Sequence, residues 1–160
     1  MHDSFLPERF KIVDASAGPV TTNGGVTFDY VSLKNVHMAY IVIQLTQAAA
    51  HATVIQPQKA TAVAPTGAVS ITTAAEWWEN EDTAASDTLV KQTAATSATV
   101  TADIKKKQVI FQIDPAQLGA TYDVLGCTVS DSSQADNYVS AQYFLEMRYP
   151  QATPPAAITD

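Results

Sequence analysis

The residues of this chain best placed to do chemistry surround a tryptophan pair. Glu76, Glu79, Glu81 and Asp82 bracket Trp77 and Trp78. Exposed aromatic rings stack on sugar faces, and paired carboxylic acids perform the proton transfers of glycoside cleavage. The same oxygens suit Ca²⁺, although the D-x-D-x-D-G loop pattern is missing. The plainer reading, which we favour, puts one Trp in a core and the other at an interface, with a charged turn after the strand.

Other constellations are weaker. His2, His37 and His51 show no H-x-H or H-E-x-x-H spacing, and Cys127 has no C-x-x-C partner. A metal site therefore has little support. A hydrolase needs a nucleophile, a base and an orienting group. Ser130, Asp131 and Ser132 share one loop, but no G-x-S-x-G elbow surrounds them. Cys127 lies mid-strand among apolar residues, the setting of an inert thiol. Gly24-Gly25 is not followed by the Gly-Lys-Ser of a phosphate loop. No catalytic residue, cofactor or metal ligand is assigned.

The chain that must position these groups has 160 residues and a formal charge of −7, with a pI of about 4.7. That length predicts one domain. Nucleic-acid binding needs clustered Lys and Arg to replace counterions on phosphates, so the acidity argues against it. The basic cluster Lys105-Lys106-Lys107 reads as a solvated turn before a strand. No apolar run approaches the roughly 20 residues of a membrane span, and no membrane partner is expected. The N-terminus lacks the basic and apolar regions of a signal peptide. A lone cysteine cannot form an internal disulfide. The surface, rich in Thr and Ala and poor in charge, suits a protein pressed against neighbours.

Short strands separated by turn signals predict an all-β fold. Residues 1–9 form an arm anchored by Phe5, Leu6 and Phe10, without clear periodicity before Phe10. A first strand runs Phe10 to Asp14, and Asn23-Gly24 marks a turn. His37 to Leu45 is apolar on both parities, with Met38, Tyr40 and Val42 on one side and Ala39, Ile41, Ile43 and Leu45 on the other. Such a strand is covered twice, once by the core and once by a loop or a neighbouring subunit. Ala52 to Lys59 is a strand whose Pro57 suggests an edge or a bulge, and Pro65 to Gly67 is a turn. Val69 to Asn80 is ambiguous: Thr73 and Glu76 fit a helix capping box, whereas the alternation before them and the Trp pair favour strand.

Leu89 to Gln92, Thr96 to Thr101 and Val109 to Ile113 are further strands. Asp114 to Gly119 reads as one helical turn, with Asp114 as N-cap and Pro115 at the first helical position. Tyr122 to Ser130 turns Leu125, Cys127 and Val129 to one face. Val139 to Met147 closes the fold, with Ser140, Gln142 and Glu146 outward. Residues 151–160 form a Pro/Ala-rich flexible tail. The expected architecture is a jelly-roll-like antiparallel β-sandwich over 10–150, with an extended N-terminal arm.

The serial order of these pieces resembles a family, the head decoration (cement, capsid-stabilising) proteins of tailed bacteriophages. The matching blocks are Asp29 to Asn35 with the apolar strand after it, Ser70 to Trp78, Leu89 to Ala95, Val109 to Leu118, and Tyr143 to Tyr149. The resemblance covers about residues 26–150. It implies a jelly-roll-like sandwich that forms a homodimer or homotrimer on the capsid exterior of the virion, bound to the major capsid protein and without enzymatic activity. Phe5, Leu6, Phe10, Tyr40, Val42, Trp77 and Trp78 are the candidate capsid or subunit interface. The alternatives are another phage structural component, such as a tail or head–tail protein, and a carbohydrate-binding β-sandwich using Trp77 and Trp78.

Overall fold

The structure, a computed structural model, describes residues 5–65 and 67–149. The start of the arm (1–4), Thr66 of the Pro65–Gly67 turn, and 150–160, including the expected tail, lie outside the described residues. The chain forms α1 (Leu6–Arg9), β1 (Phe10–Asp14), β2 (Val20–Thr21), β3 (Val26–Thr27), β4 (Val31–Ser32) and β5 (Val36–Thr46). Then follow β6 (Thr53–Ala60), β7 (Val69–Ser70), β8 (Glu76–Asn80), β9 (Val90–Lys91) and β10 (Ala98–Val100). The last elements are β11 (Lys106–Ile113), a 3-10 turn (Pro115–Leu118), β12 (Val124–Val129) and β13 (Tyr138–Met147).

These strands make an antiparallel sandwich. The larger sheet runs β1-β13-β5-β11-β8-β9, with β2 beside β13. The smaller runs β10-β6-β12-β3, with β4 on β12 and β7 on β6. Leaving out β8 and β9, the larger sheet alternates strands from the two ends of the chain, and the smaller one does the same with those between. That is the order of a jelly roll. The β8–β9 pair is an insertion that widens the larger sheet beyond β11.

Period-two alternation drives the packing. In β5, Ala39, Ile41, Ile43 and Leu45 are buried. Val109, Phe111 and Ile113 of β11, and Val139, Ala141, Tyr143 and Leu145 of β13, meet them. From the smaller sheet come Ile55, Leu125, Cys127 and Val129. The Tyr143 hydroxyl donates to the Asp29 carbonyl at 2.8 Å, which satisfies the one polar atom of a large core side chain.

Several local readings change. The arm is not wholly extended, because Leu6 to Arg9 makes one helical turn. Over Val69–Asn80, by contrast, the favoured strand reading is the right one: β7 and β8 are strands, and the Thr73/Glu76 capping box is unused. Pro57 is not on an edge strand, since β6 lies between β10 and β12. It is tolerated because β10 pairs only as far as Ile55 and β7 only from Gln58, so its missing N–H faces a gap in the ladder. The turn after Asp114 is a 3-10 turn, capped by Asp114 and stopped at Gly119 with φ 87°.

Gly126 is a site of close approach. The Tyr30 ring lies across its backbone, so that a Cβ there would collide with the ring. Tyr30 thereby seals the outer side of β12 together with Ala60 and Val124.

Candidate docking face

Residues directly opposite in antiparallel strands point to the same side of the sheet. The register therefore maps the outer side of the larger sheet row by row. One row runs Phe10, Glu146, Met38. The next runs Ile12, Phe144, Tyr40, Gln112, Glu76. The third runs Asp14, Gln142, Val42, Ile110, Trp78, Lys91. A diagonal apolar belt crosses the sheet from Phe10 and Ile12 through Phe144, Tyr40, Val42 and Ile110 to Trp78.

None of these belt residues belongs to either buried core cluster. Ile12 is 42% exposed and the others are half-buried by one another. The rings of Phe10 and Tyr40 are tilted at 51° with centroids 6.3 Å apart. Burial, followed by the nearby Glu146 charge, holds the Tyr40 phenol above its ordinary range.

Most of the charges bordering the belt are paired, and Asp14 is held by a neutral amide. Arg9 pairs with Glu146 at 3.0 Å, and Lys91 with Glu76 at 2.7 Å. The Gln142 amide donates to Asp14 at 2.8 Å. The Lys91 ammonium lies 5.7 Å from the centre of the Trp78 ring. A face of this kind offers apolar area with most of its charges paired and Asp14 at its margin, close to the composition of an interface centre.

The structure brings Phe10, Tyr40, Val42 and Trp78 together on this face. Trp77 is not there, because successive residues of a strand point to opposite sides. Its indole is buried, stacks on Phe111 at 5.9 Å and donates to the Thr93 carbonyl at 2.9 Å. Trp77 is a core residue and cannot act as an interface or sugar platform. Phe5 and Leu6 are 71% and 54% exposed, Phe5 as the N-cap and Leu6 as the first residue of α1, which leads into Phe10. Phe144, Ile110 and Ile12 were absent from the sequence-derived interface. The signal for Phe144 was its parity with Gln142 and Glu146, and cross-strand register supplies the other two.

The four acids near the Trp pair do not converge on one site: Glu79 and Glu81 meet beside Lys107, while Glu76 and Asp82 pair elsewhere. Glu76 faces outward with Lys91, whereas Glu79 is buried on the core side. Glu81 pairs with Lys107 at 2.7 Å and Asp82 with Lys105 at 3.4 Å. Lys107 is thus no part of a solvated turn: it lies in β11 with its side chain fully buried. Among the described residues no group of three or more His, Cys, Asp and Glu could hold a metal ion. The hydroxyls of Ser130 and Ser132 serve the fold, Ser130 accepting from the Val54 amide and Ser132 from the Thr22 hydroxyl. His37 is exposed, and His51 is half-buried in the β5–β6 connection. Burial drives the Cys127 thiol far above its ordinary range, which disfavours a reactive thiolate.

No protein-family model and no characterised protein matches this chain. A solved structure described as "CBM4 structure and function" is similar with a TM-score of 0.30 and 11% identity, covering 91% of this chain and 88% of that one. A likeness at that score carries no argument about ligand or role.

Proposed function

We propose that this protein is a non-enzymatic structural subunit of a tailed-phage virion. In this reading it binds the outside of the capsid as a homo-oligomer and reinforces contacts between capsomers. The observation that carries the reading is the apolar belt centred on Tyr40, Val42 and Phe144, with the Arg9–Glu146 and Lys91–Glu76 pairs at its border. A specific protein contact buries on the order of 1,000 Å² or more, and a broad sheet face supplies area of that kind without a pocket. Repetition over a shell adds avidity when each contact is modest. The family resemblance of residues 26–150 supplies the partner, the major capsid protein.

The sugar-platform alternative is less well served. Trp78 is the one member of the pair outside the core, and Lys91 stands over it rather than leaving a bare ring.

The test is co-sedimentation of the purified protein with phage heads that lack it. Saturable binding at a symmetric copy number is expected, lost on Phe144→Asp with the fold retained. Absence of binding together with self-assembly into rings would replace this reading with a tail component. Absence of binding together with glycan retention that Trp78→Ala abolishes would replace it with a carbohydrate-binding module.

A further inference from the structure

The inner side of the larger sheet carries ions at one end. Lys107 of β11 is fully buried, and its Nζ reaches Glu81 Oε2 at 2.7 Å, the Thr101 carbonyl at 2.8 Å and the Thr101 hydroxyl at 2.5 Å. Thr101 follows β10, which belongs to the smaller sheet. Glu81 also accepts from the Thr101 hydroxyl at 2.6 Å. The cluster therefore ties β8 and β11 to the opposite layer of the sandwich.

Glu79 completes it. This residue is 7% exposed, and its carboxyl stands close enough to that of Glu81 to raise its own hold on a proton. One carboxyl oxygen, Oε1, is buried and has no partner. Two carboxylates cannot share a hydrogen bond unless one holds a proton, because both are acceptors when ionised. Lys107 balances Glu81, so an ionised Glu79 would leave a net negative charge in the core. A proton on Glu79 restores neutrality and becomes the donor to Glu81. Oε1 is then the carbonyl oxygen of a neutral acid, which loses less by going unpaired than a carboxylate does.

We propose that Glu79, Glu81 and Lys107 form a proton-dependent clasp between the two sheets, fastened while Glu79 is protonated and loosened when it ionises. The surroundings leave these three groups in charge of the effect. Val109 of β11 and Val90 of β9 flank Glu79 in register, and Leu45 of β5 flanks Lys107. Ala98 and Val100 of β10 are buried and apolar. Asp82 and Lys105 pair with each other outside the cluster, and Lys106, Asp87 and Asp103 are exposed. Burial first, then the hydrogen bond and charge of Glu81, push the Glu79 carboxyl up from 4.5 to about 8, against the pull of Lys107.

The sign follows from proton counting. Between pH 4.5 and about 8 the folded chain holds a proton that unfolded Glu79 has released. Stability from this group therefore falls as pH rises through that window and levels off above it. The clasp contains no belt residue, so it is readable on the isolated protein whether or not the capsid role holds.

The experiment is a carbon-13 titration of the Glu79 carboxyl, paired with thermal melts and amide exchange of wild type, Glu79→Gln and Glu81→Gln. The expected Glu79 midpoint is near pH 8. Glu79→Gln keeps a neutral donor and is expected to abolish the decline of melting temperature across the window. At one alkaline pH, amides of β8 and Thr101 should exchange faster in wild type than in Glu79→Gln. In Glu81→Gln, Glu79 becomes the acid left beside Lys107, and its midpoint should move down. A wild-type midpoint near 4.5 overturns the clasp even if a variant fails to fold. Identical pH slopes and exchange rates in wild type and Glu79→Gln overturn it as well.

Discussion

Trp77 and Trp78 are consecutive in the chain and lie on opposite sides of one sheet. Trp77 is locked against Phe111 and the Thr93 carbonyl, whereas Trp78 ends the outer belt under Lys91. Their substitution should separate cleanly. Trp77→Ala opens a core cavity and is expected to cost about 3–5 kcal/mol. Trp78→Ala should stay within about 1 kcal/mol of wild type, as surface changes do, and should weaken capsid binding. Urea unfolding of both variants, with the binding assay on Trp78→Ala, checks the contrast.

Gly126 should not accept a side chain while Tyr30 is present. Gly126→Ala drives a methyl into the ring and is expected to destabilise by about 1–3 kcal/mol, the usual range for overpacking. Adding Tyr30→Ala should remove most of that increment. A double-mutant cycle by denaturation gives the coupling directly.

At low pH the controlling acid is Glu81. Burial pushes its carboxyl up, but hydrogen bonds from Lys107, Thr101 and Glu79, with the Lys107 charge, bring it down from 4.5 to about 2. A depressed folded value means stability that is complete above pH 4.5 and is lost as pH falls toward 2. Lys107→Met removes the ammonium, so melting temperatures across this acid limb should flatten relative to wild type.

Tyr143 is buried, and burial is the first cause holding its phenol well above the ordinary value. In an ultraviolet titration it should stay protonated until the chain unfolds. Tyr143→Phe leaves the Asp29 carbonyl without its donor and is expected to cost about 1 kcal/mol by urea unfolding.

The sandwich was legible in the sequence because its strong strands announce themselves. β1 matches its expected span, and β5, β11 and β13 were found within a few residues. Local cues also located the Asp114 cap, since a cap depends on neighbours in the chain. Lys107 was misread because a triple lysine looks like solvent-exposed charge, and its partner Glu81 lies in a different strand neighbourhood. The split into one core and one outer tryptophan was legible from alternation, yet the candidate interface still counted Trp77, which its burial removes from the face. The belt was half legible: Tyr40 and Val42 showed on β5, but Phe144 and Ile110 join them only through register, which no local pattern carries.

The position of β13 has a consequence for how the molecule comes into being. β13 is the last strand among the described residues, yet it lies between β1 and β5. Until residues 138–147 have left the ribosome, β1 has no partner in its sheet and β5 is an open edge. The larger sheet cannot be zipped in the order of synthesis. Its closure joins segments from opposite ends of the chain, the slow kind of step in which a long loop must close before any contact rewards it. A translating chain stalled before Tyr138 thus presents unpaired strand edges beside apolar side chains, a state prone to pair with other chains.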